Sequence, residues 1–146
     1  MKLFIGADHR GYNLKETLKS WLSNQGIEWV DCGADSYIPN DDAIDYAQVV
    51  ASQIKIPSDR GILLCGSGQA MMIAANRFPH VNAIMGFNEA VVEQGRNHDN
   101  ANVLCLPAEH VSDELAQRFV DIFLHTNFNE LERYQRRQKK LEKLSI

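Results

Sequence analysis

A carboxylate and a titratable imidazole stand side by side near the start of the chain. Asp8 and His9 lie in the segment GADHRG (residues 6–11), whose last glycine permits a tight turn. Such a pair can orient a hydroxyl group and move a proton. The alternative interpretation is that Asp8 caps the helix that follows and that His9 is a surface residue.

A second segment joins a thiol to a glycine-rich turn. Cys65 opens the run CGSGQA (65–70), in which Gly66 and Gly68 flank Ser67. Glycine at these positions lets the backbone come close to a ligand and direct N–H groups at an anion, and a following helix N-terminus adds a favourable partial charge. The alternative is a plain helix-entry turn with Cys65 as a small buried apolar residue.

Toward the C-terminus, a histidine and a basic segment could contribute further groups. His98 lies in RNHDN (96–100), where an ordinary solvated turn is the alternative. Residues 133–143 carry six basic side chains against one acidic side chain, Glu142. Arginines in such a segment can bind a small anion, whereas the alternative is a solvated helix face.

Apolar runs of strand length alternate along the chain with segments of helical periodicity. Five runs are predicted to be strands: 2–7, 27–32, 61–65, 81–86 and 102–106. Helices are predicted between them at 14–22, closed by Gly26, and at 46–54, 69–77, 88–97 and 112–124. A sixth helix, 133–143, would extend beyond the last sheet unit.

Strands that alternate with helices predict a parallel sheet covered on both faces, because a parallel crossover takes a dozen or more residues. We therefore expect a single doubly wound α/β domain over residues 1–146. Ligands bind at the carboxyl ends of such strands, where Asp8 and Cys65 fall, and the polar loop 34–41 could help to form the site. His98 precedes a strand and so lies at the opposite edge, from which it can join the other two only across an interface between subunits.

The composition excludes several classes of function. The 146 residues are 45% hydrophobic and 23% charged, as a packed globular domain requires. A net charge of −4 gives no general attraction for nucleic acid, and the apolar runs fall far short of a bilayer span. Three widely spaced cysteines give neither a disulfide framework nor a CxxC metal motif. We expect a cytoplasmic protein with free thiols, no metal, and neither nucleic acid nor membrane as a partner.

Several motifs follow one another through nearly the whole chain: IGADHRGYNLKE (5–16), DYA (45–47), RGILLCGSG (60–68), IAANR (73–77), Arg96-x-His98 with NVL (102–104), and Arg133-x-x-x-Arg137. Together they resemble the type B ribose-5-phosphate isomerases, a family that includes the galactose-6-phosphate isomerase subunits. The resemblance implies a cofactor-independent aldose–ketose isomerase with a Rossmann-like fold and a sugar phosphate as substrate. It also implies a homodimer, or a dimer of dimers, with active sites shared between subunits.

The resemblance also implies a role for each candidate residue. Cys65 would be the general base that moves a proton between C1 and C2 of the open-chain sugar, and backbone N–H groups with the Ser67 hydroxyl would stabilise the enediolate oxygen. His98 would assist ring opening, and Asp8 would orient a sugar hydroxyl. The phosphate would be held by His9, Arg133 and Arg137. The remaining residues assigned to substrate binding are Gly66, Gly68, Gln69, Ala70, Asp99 and Asn100.

On the phosphate side, this chain departs from the family pattern. Residues 42–44 read Asp-Ala-Ile in place of Asp-Tyr-Pro, which removes an aromatic side chain, and 98–100 read His-Asp-Asn in place of His-Asn-Asp. Glu109 stands where the family has an arginine, and Tyr134 replaces a histidine. A carboxylate close to a phosphate is unfavourable. Ala43 and Glu109 therefore predict that ribose 5-phosphate is a poor substrate.

Two alternatives remain open. The chain could be an isomerase of a sugar whose far end is not phosphorylated, with Glu109 accepting hydrogen bonds from hydroxyl groups. It could also be a non-catalytic sugar-phosphate-binding protein that keeps the fold without turnover. Binding of inorganic phosphate tests the first alternative, and turnover tests the second.

Overall fold

The computed structural model describes residues 1–144 and confirms the predicted alternation of strands and helices. The strands are β1 (Leu3–Ala7), β2 (Val30–Asp31), β3 (Arg60–Cys65), β4 (Ala83–Met85) and β5 (Val103–Pro107). The helices are α1 (Tyr12–Asn24), α2 (Ala43–Gln53), α3 (Gln69–Ala75), α4 (Glu89–Asp99), α5 (Asp113–His125) and α6 (Glu132–Glu142). The predicted domain extends to residue 146, and its last two residues lie outside the described range.

The strands form one parallel sheet in the order β2-β1-β3-β5-β4. From β1 the chain moves outward to form β2 and then crosses back to form β3 on the other side, so the order reverses between β1 and β3. In open α/β sheets, ligands bind in the crevice at the carboxyl ends beside such a reversal. The loops after β1 and β3 begin at Asp8 and Gly66, and the expected doubly wound, Rossmann-like fold therefore places both at this crevice.

Apolar side chains fill both faces of the sheet. Helices α1, α4 and α5 cover one face, where Leu18 and Phe119 are fully buried, and α2 and α3 cover the other, where Met71 is fully buried. Side chains alternate along a strand, so Leu64 packs on the first face and Cys65 on the second. Within residues 1–144, none of the helices combines the length and apolar character that crossing a membrane takes.

The second strand is much shorter than the predicted 27–32. Ile27 and Trp29, whose apolar side chains favoured a longer strand, pack against the core on the α1 and α5 face instead. After β2 the chain still follows β1, since the Cys32 N–H donates to a β1 carbonyl at 2.7 Å. This path carries the loop 34–41 to the carboxyl edge of the sheet.

The helices begin and end within three residues of the predicted positions. Gly26 follows α1 with a φ of +71°, as expected for the glycine that closes a helix, and its N–H donates to the Ser23 carbonyl at 3.0 Å. The Ser112 hydroxyl caps α5 by accepting a hydrogen bond from the Leu115 N–H at 3.2 Å. These end signals are local, which is why the sequence reveals them.

Candidate active site

Loops that follow β1, β3 and β5 meet at the carboxyl edge of the sheet. The Asp8 N–H donates to the Leu64 carbonyl at 3.2 Å, and the Glu109 N–H donates to the Gly66 carbonyl at 3.1 Å. These backbone hydrogen bonds hold residues side by side that are far apart in the sequence. The edge is therefore a fixed frame for the side chains that it carries.

The Cys65 thiol lies at the base of the loop after β3. The residue is 4% exposed, and its Sγ accepts a hydrogen bond from the Gly68 N–H at 3.1 Å. Gly68 has a φ of +76°, and Met85 fills the space that a Cβ would need. Glycine at 68 is thus required by the same turn that directs an N–H at the sulfur. The outer side of the loop is formed by exposed Ser67 and Gln69 and by half-buried Ala70.

Asp8 is 5% exposed and closes the turn between β1 and α1. Its Oδ1 accepts hydrogen bonds from the backbone N–H groups of Arg10 at 2.9 Å and Gly11 at 3.0 Å. Burial raises the pKa of Asp8 above its ordinary value, although these two bonds act in the opposite direction. The N-cap of α1 is Gly11, so Asp8 stabilises the turn before the helix rather than the helix end itself.

His9 is oriented by a carboxylate that the sequence analysis did not single out. Asp41 Oδ1 accepts a hydrogen bond from the His9 N–H at 2.7 Å and lies 2.8 Å from His9 Nδ1, while Oδ2 accepts one from the Tyr46 hydroxyl at 2.9 Å. Burial and the bond to Asp41 raise the pKa of Tyr46 to about 12. Burial alone would raise the pKa of Asp41, but the bonds from His9 and Tyr46 outweigh it and lower that pKa. Because Nδ1 is engaged, Nε2 is the His9 nitrogen left to face a ligand.

The same region contains the one group in residues 1–144 whose geometry would suit a metal ion. One ligand atom each from Asp8, His9 and Asp41 lies within 4.8 Å of the others. The His9 nitrogen and the Asp41 oxygen already contact each other. We interpret His9 and Asp41 as a hydrogen-bonded pair that holds the imidazole in place, with Asp8 bound to the adjacent backbone.

An aromatic side chain lies beside His9 although position 43 is alanine. Tyr37, from the loop 34–41, is 55% exposed and meets the His9 ring edge-on with centroids 6.4 Å apart. It makes a similar edge contact with Tyr12 at 6.3 Å. The loop that was expected to help form the site therefore supplies both Asp41 and an aromatic wall.

Glu109 is paired with Arg10, the residue after His9. Arg10 Nε donates to Glu109 Oε1 at 2.5 Å, and Nη2 donates to Oε2. The hydrogen bond from Arg10 lowers the pKa of Glu109, and the same contact raises the pKa of Arg10. Glu109 is thus not an isolated negative charge at this edge, because a guanidinium group compensates it.

At the opposite edge of the sheet, His98, Arg133 and Arg137 gather around Tyr134. The His98 imidazole stacks on the Tyr134 ring with centroids 4.6 Å apart and planes inclined by 6°. Arg133 Cζ and Arg137 Cζ lie 4.7 and 5.6 Å from the ring centroid, and Arg133 Nη2 donates to the Tyr134 hydroxyl at 3.0 Å. Tyr134 is 5% exposed and joins α6 to the end of α4 as a platform for the three cationic or titratable groups.

Asn100 and Asp99, at the end of α4, have structural contacts within the chain. The Asn100 side chain accepts a hydrogen bond from Arg96 Nη1 at 3.2 Å, and the Asp99 carbonyl accepts one from Asn82 Nδ2 at 3.2 Å. Burial lowers the pKa of Arg96, which is 2% exposed, to about 10. Arg96 also donates to the Thr126 carbonyl at 3.3 Å, so it ties the ends of α4 and α5 together.

The predicted site residues thus form two groups at opposite edges of one sheet. Asp8, His9 and the Cys65 loop lie at the carboxyl edge, whereas His98 precedes β5 at the amino edge. A strand rises about 3.3 Å per residue, so a strand of five residues separates the two edges by about 17 Å. Within one copy of the chain, His98 does not reach the Cys65 loop.

Three residues of the carboxyl-edge site were missed by the sequence analysis: Arg10, Asp41 and Tyr37. Arg10 meets Glu109 across 99 positions and Asp41 meets His9 across 32, so no local pattern relates them. The signals that existed were weak: Asp41 and Tyr37 belong to the polar loop that was expected near the site, and Arg10 lies inside the first motif.

Comparisons with known proteins agree with this geometry. Residues 3–141 match the family described as Ribose/Galactose Isomerase. A probable ribose-5-phosphate isomerase B of Mycoplasma genitalium is 40% identical over 95% of this chain and 92% of its own length. Ribose-5-phosphate isomerase B of Mycobacterium tuberculosis is 33% identical over 94% of this chain and 85% of its own length.

Solved structures give the same result. The crystal structure of ribose-5-phosphate isomerase B from Mycoplasma genitalium with bound ribulose-5-phosphate has a TM-score of 0.92 and 39% identity, and covers 98% of this chain and 95% of that one. The fold and the sequence similarity over nearly the whole chain define an aldose–ketose isomerase, which is an intramolecular oxidoreductase. The chain belongs to the ribose/galactose isomerase family.

Proposed function

We propose that this chain interconverts a pentose phosphate aldose and ketose, with ribose 5-phosphate and ribulose 5-phosphate as the first pair to test. The proposal is supported by a solved relative, similar over nearly the whole chain, whose crystal structure holds ribulose-5-phosphate. The observation that carries it here is the pairing of Arg10 with Glu109. Because Glu109 is compensated, the charge argument against a phosphate at this edge loses its basis, and Tyr37 offsets the aromatic group missing at Ala43.

Cys65 acts as the general base of the reaction. As a thiolate, it takes the proton from C2 of the open-chain aldose, and the electron pair moves through C1 to the carbonyl oxygen O1 to give an enediolate. Return of the proton to C1, with loss of the O2 hydroxyl proton and protonation of O1, gives the ketose. Electrons and protons balance within the substrate. The backbone N–H groups and the Ser67 hydroxyl of residues 66–70 stabilise the enediolate oxygen.

The remaining roles follow from the positions of the polar groups. Asp8 orients a sugar hydroxyl from its turn, and His9 offers Nε2 to the phosphate. The groups around Tyr134 complete the site from a second copy of the chain: its His98 exchanges protons with the ring and anomeric oxygens during ring opening, and its Arg133 and Arg137 bind the phosphate. Each copy is then a single domain over residues 1–146 that holds half of every site, in a homodimer or a dimer of dimers.

Mixing two inactive variants tests both the roles and the shared site. We expect Cys65→Ala and His98→Ala each to lower the kcat for ribose 5-phosphate by at least about a hundredfold. After subunit exchange of an equal mixture, half of the dimers are mixed, and each mixed dimer has one site with both groups intact. Activity should therefore return to about a quarter of the wild-type value. Cys32→Ala, which removes a thiol outside the loop, serves as the control with unchanged kcat.

Each outcome bears on one part of the proposal. If Cys65→Ala keeps the wild-type rate on every sugar phosphate tested, Cys65 is not the base. If exchange is demonstrated by mass and no activity returns, the sites are not shared between copies. If calorimetry shows that ribose 5-phosphate binds to the wild type and no isomerisation is detected, the chain is a sugar-phosphate-binding protein and not an isomerase.

A further inference from the structure

The guanidinium group of Arg10 lies directly over the loop that follows Cys65. A Cβ added to Gly66 would overlap with Arg10 Cζ and come within 2.9 Å of Arg10 Nη1, so the loop backbone and the guanidinium plane are in contact. Arg10 belongs to the loop after β1, the strand next to β3, and its side chain extends from there over the Cys65 loop. Only glycine at 66 lets the arginine lie there.

Glu109 fixes this position by occupying one edge of the guanidinium group. The carboxylate takes Nε and Nη2 in a fork, which restricts rotation of the planar group. Within residues 1–144, Nη1 has no protein acceptor, so the second edge of the fork is free to bind a ligand. The Arg10 side chain is 51% exposed, so the guanidinium group is accessible to a ligand.

The chain itself relates this pair to the other groups of the site. Arg10 directly follows His9, and its guanidinium group lies over Gly66, the residue that directly follows Cys65. A phosphate group has three terminal oxygens, so it can accept hydrogen bonds from a second donor beside His9.

We infer that Arg10 binds the substrate phosphate through its free Nη1 edge, beside His9, and that Glu109 is the positioning residue that aims it. This inference rests on the proposed isomerase function. It adds a cation from within the same copy to the arginines that the second copy contributes. It also gives Glu109, which departs from the arginine of the family pattern, a role in phosphate binding rather than against it.

Steady-state kinetics with ribose 5-phosphate, and with inorganic phosphate as a competing ligand, test the inference. Arg10→Met keeps the length of the side chain and removes its cation. We expect it to raise the KM and the inhibition constant of inorganic phosphate together, by about tenfold or more, with kcat changed less than about threefold. Glu109→Gln should raise both constants by a smaller factor, about threefold, because an amide holds the guanidinium less firmly.

Arg118→Met is the matched control, since Arg118 also forms an exposed pair with a glutamate, Glu89, but lies on α5. It should leave KM and kcat unchanged, and the Tm of every variant shows that the fold is intact. Unchanged KM and inhibition constant in Arg10→Met would overturn the inference, as would a loss confined to kcat, which would place Arg10 at the reacting carbons. A lower KM in Glu109→Gln would overturn the positioning role.

Failure of the proposed function is recognised separately. If the wild type isomerises no sugar phosphate, calorimetry with inorganic phosphate still compares the wild type with Arg10→Met. Tenfold weaker phosphate binding in the variant would support the Arg10 site without the enzyme. Equal phosphate binding by the wild type and Arg10→Met would show that Arg10 does not bind the phosphate.

Discussion

Asp41 should stabilise the fold through its contacts to two separate segments, and Asp41→Asn measures this contribution. The carboxylate accepts hydrogen bonds from the His9 N–H and the Tyr46 hydroxyl and contacts His9 Nδ1, all between 2.7 and 2.9 Å. Its side chain is 8% exposed, so water cannot easily replace these partners. Asparagine keeps the volume and one acceptor oxygen but loses the charge and presents an NH2 group to Tyr46.

The expected cost follows from the contacts that are lost. A hydrogen bond to a charged group contributes about 1.5 to 3 kcal/mol, and the bond that Tyr46 donates to the carboxylate is replaced at best by a neutral one, in which the asparagine NH2 donates to the Tyr46 oxygen. The His9 N–H keeps an acceptor. Because the His9 side chain is partly exposed, weakening its contact with residue 41 adds little to the expected loss of stability. We therefore expect the free energy of unfolding to fall by about 2 kcal/mol, and the Tm to fall by about 4 to 8 °C in a domain of this size.

The stability difference between wild type and Asp41→Asn should also depend on pH. The pKa of Asp41 is lowered in the folded chain, so its charge favours folding at every pH above the unfolded pKa of about 3.9. This contribution is lost as the pH falls through the lower folded pKa. The difference between wild type and Asp41→Asn should therefore be complete at pH 7 and should shrink below about pH 4.

Urea unfolding at fixed protein concentration measures the difference, because association would otherwise change the apparent stability. Asp42→Asn is the matched control: Asp42 is adjacent, exposed, and makes no side-chain cap to α2, so its change should stay within about 0.5 kcal/mol. A difference below about 0.5 kcal/mol for Asp41→Asn at pH 7 would refute the reasoning. So would a difference that stays constant down to pH 2.

Two further changes test how the frame of the site is held. Lys15→Met removes the fully buried ammonium that pairs with Asp31 at 2.7 Å and donates to the Ala34 carbonyl at 2.6 Å. Because Asp31 keeps a second partner, Lys19, at 2.6 Å, we expect urea unfolding to show a loss of about 2 kcal/mol, the contribution of a hydrogen bond to a charged group. A loss below about 0.5 kcal/mol would contradict this. Gly11→Ala places a Cβ 2.7 Å from Leu64 Cβ and against its carbonyl, so it should cost about 3 kcal/mol. Gly26→Ala is the control for Gly11→Ala, because its added Cβ meets open space. It should lower the free energy of unfolding by only about 1 kcal/mol, the cost of its positive φ.

The sequence could predict the fold because its signals are local and repeated. Alternating apolar periods, a glycine at the end of α1 and a serine at the start of α5 each act over a few residues, and together they specify the layered parallel sheet. The failure at β2 has the same origin. Ile27 and Trp29 have the composition of a strand, but their packing against the α1 and α5 face is decided by the tertiary structure.

The site could be predicted in part, because topology alone assigns residues to an edge of the sheet. Asp8 and Cys65 follow strands, so they had to meet at the carboxyl edge, and His98 had to lie at the other. Contacts between loops do not follow from topology. Whether Glu109 stands alone or is paired depends on where Arg10 points, and this is settled only when three loops are packed together.

The fork between Arg10 and Glu109 constrains how this sequence can change. Glu109→Arg alone would set two guanidinium groups against each other above Gly66, and loss of Arg10 alone would leave an unpaired carboxylate at the crevice. A larger residue at 66 would displace the arginine. Positions 10, 66 and 109, which lie on three different loops, are therefore expected to vary as a set, and a substitution at one of them is not neutral until the other two have changed.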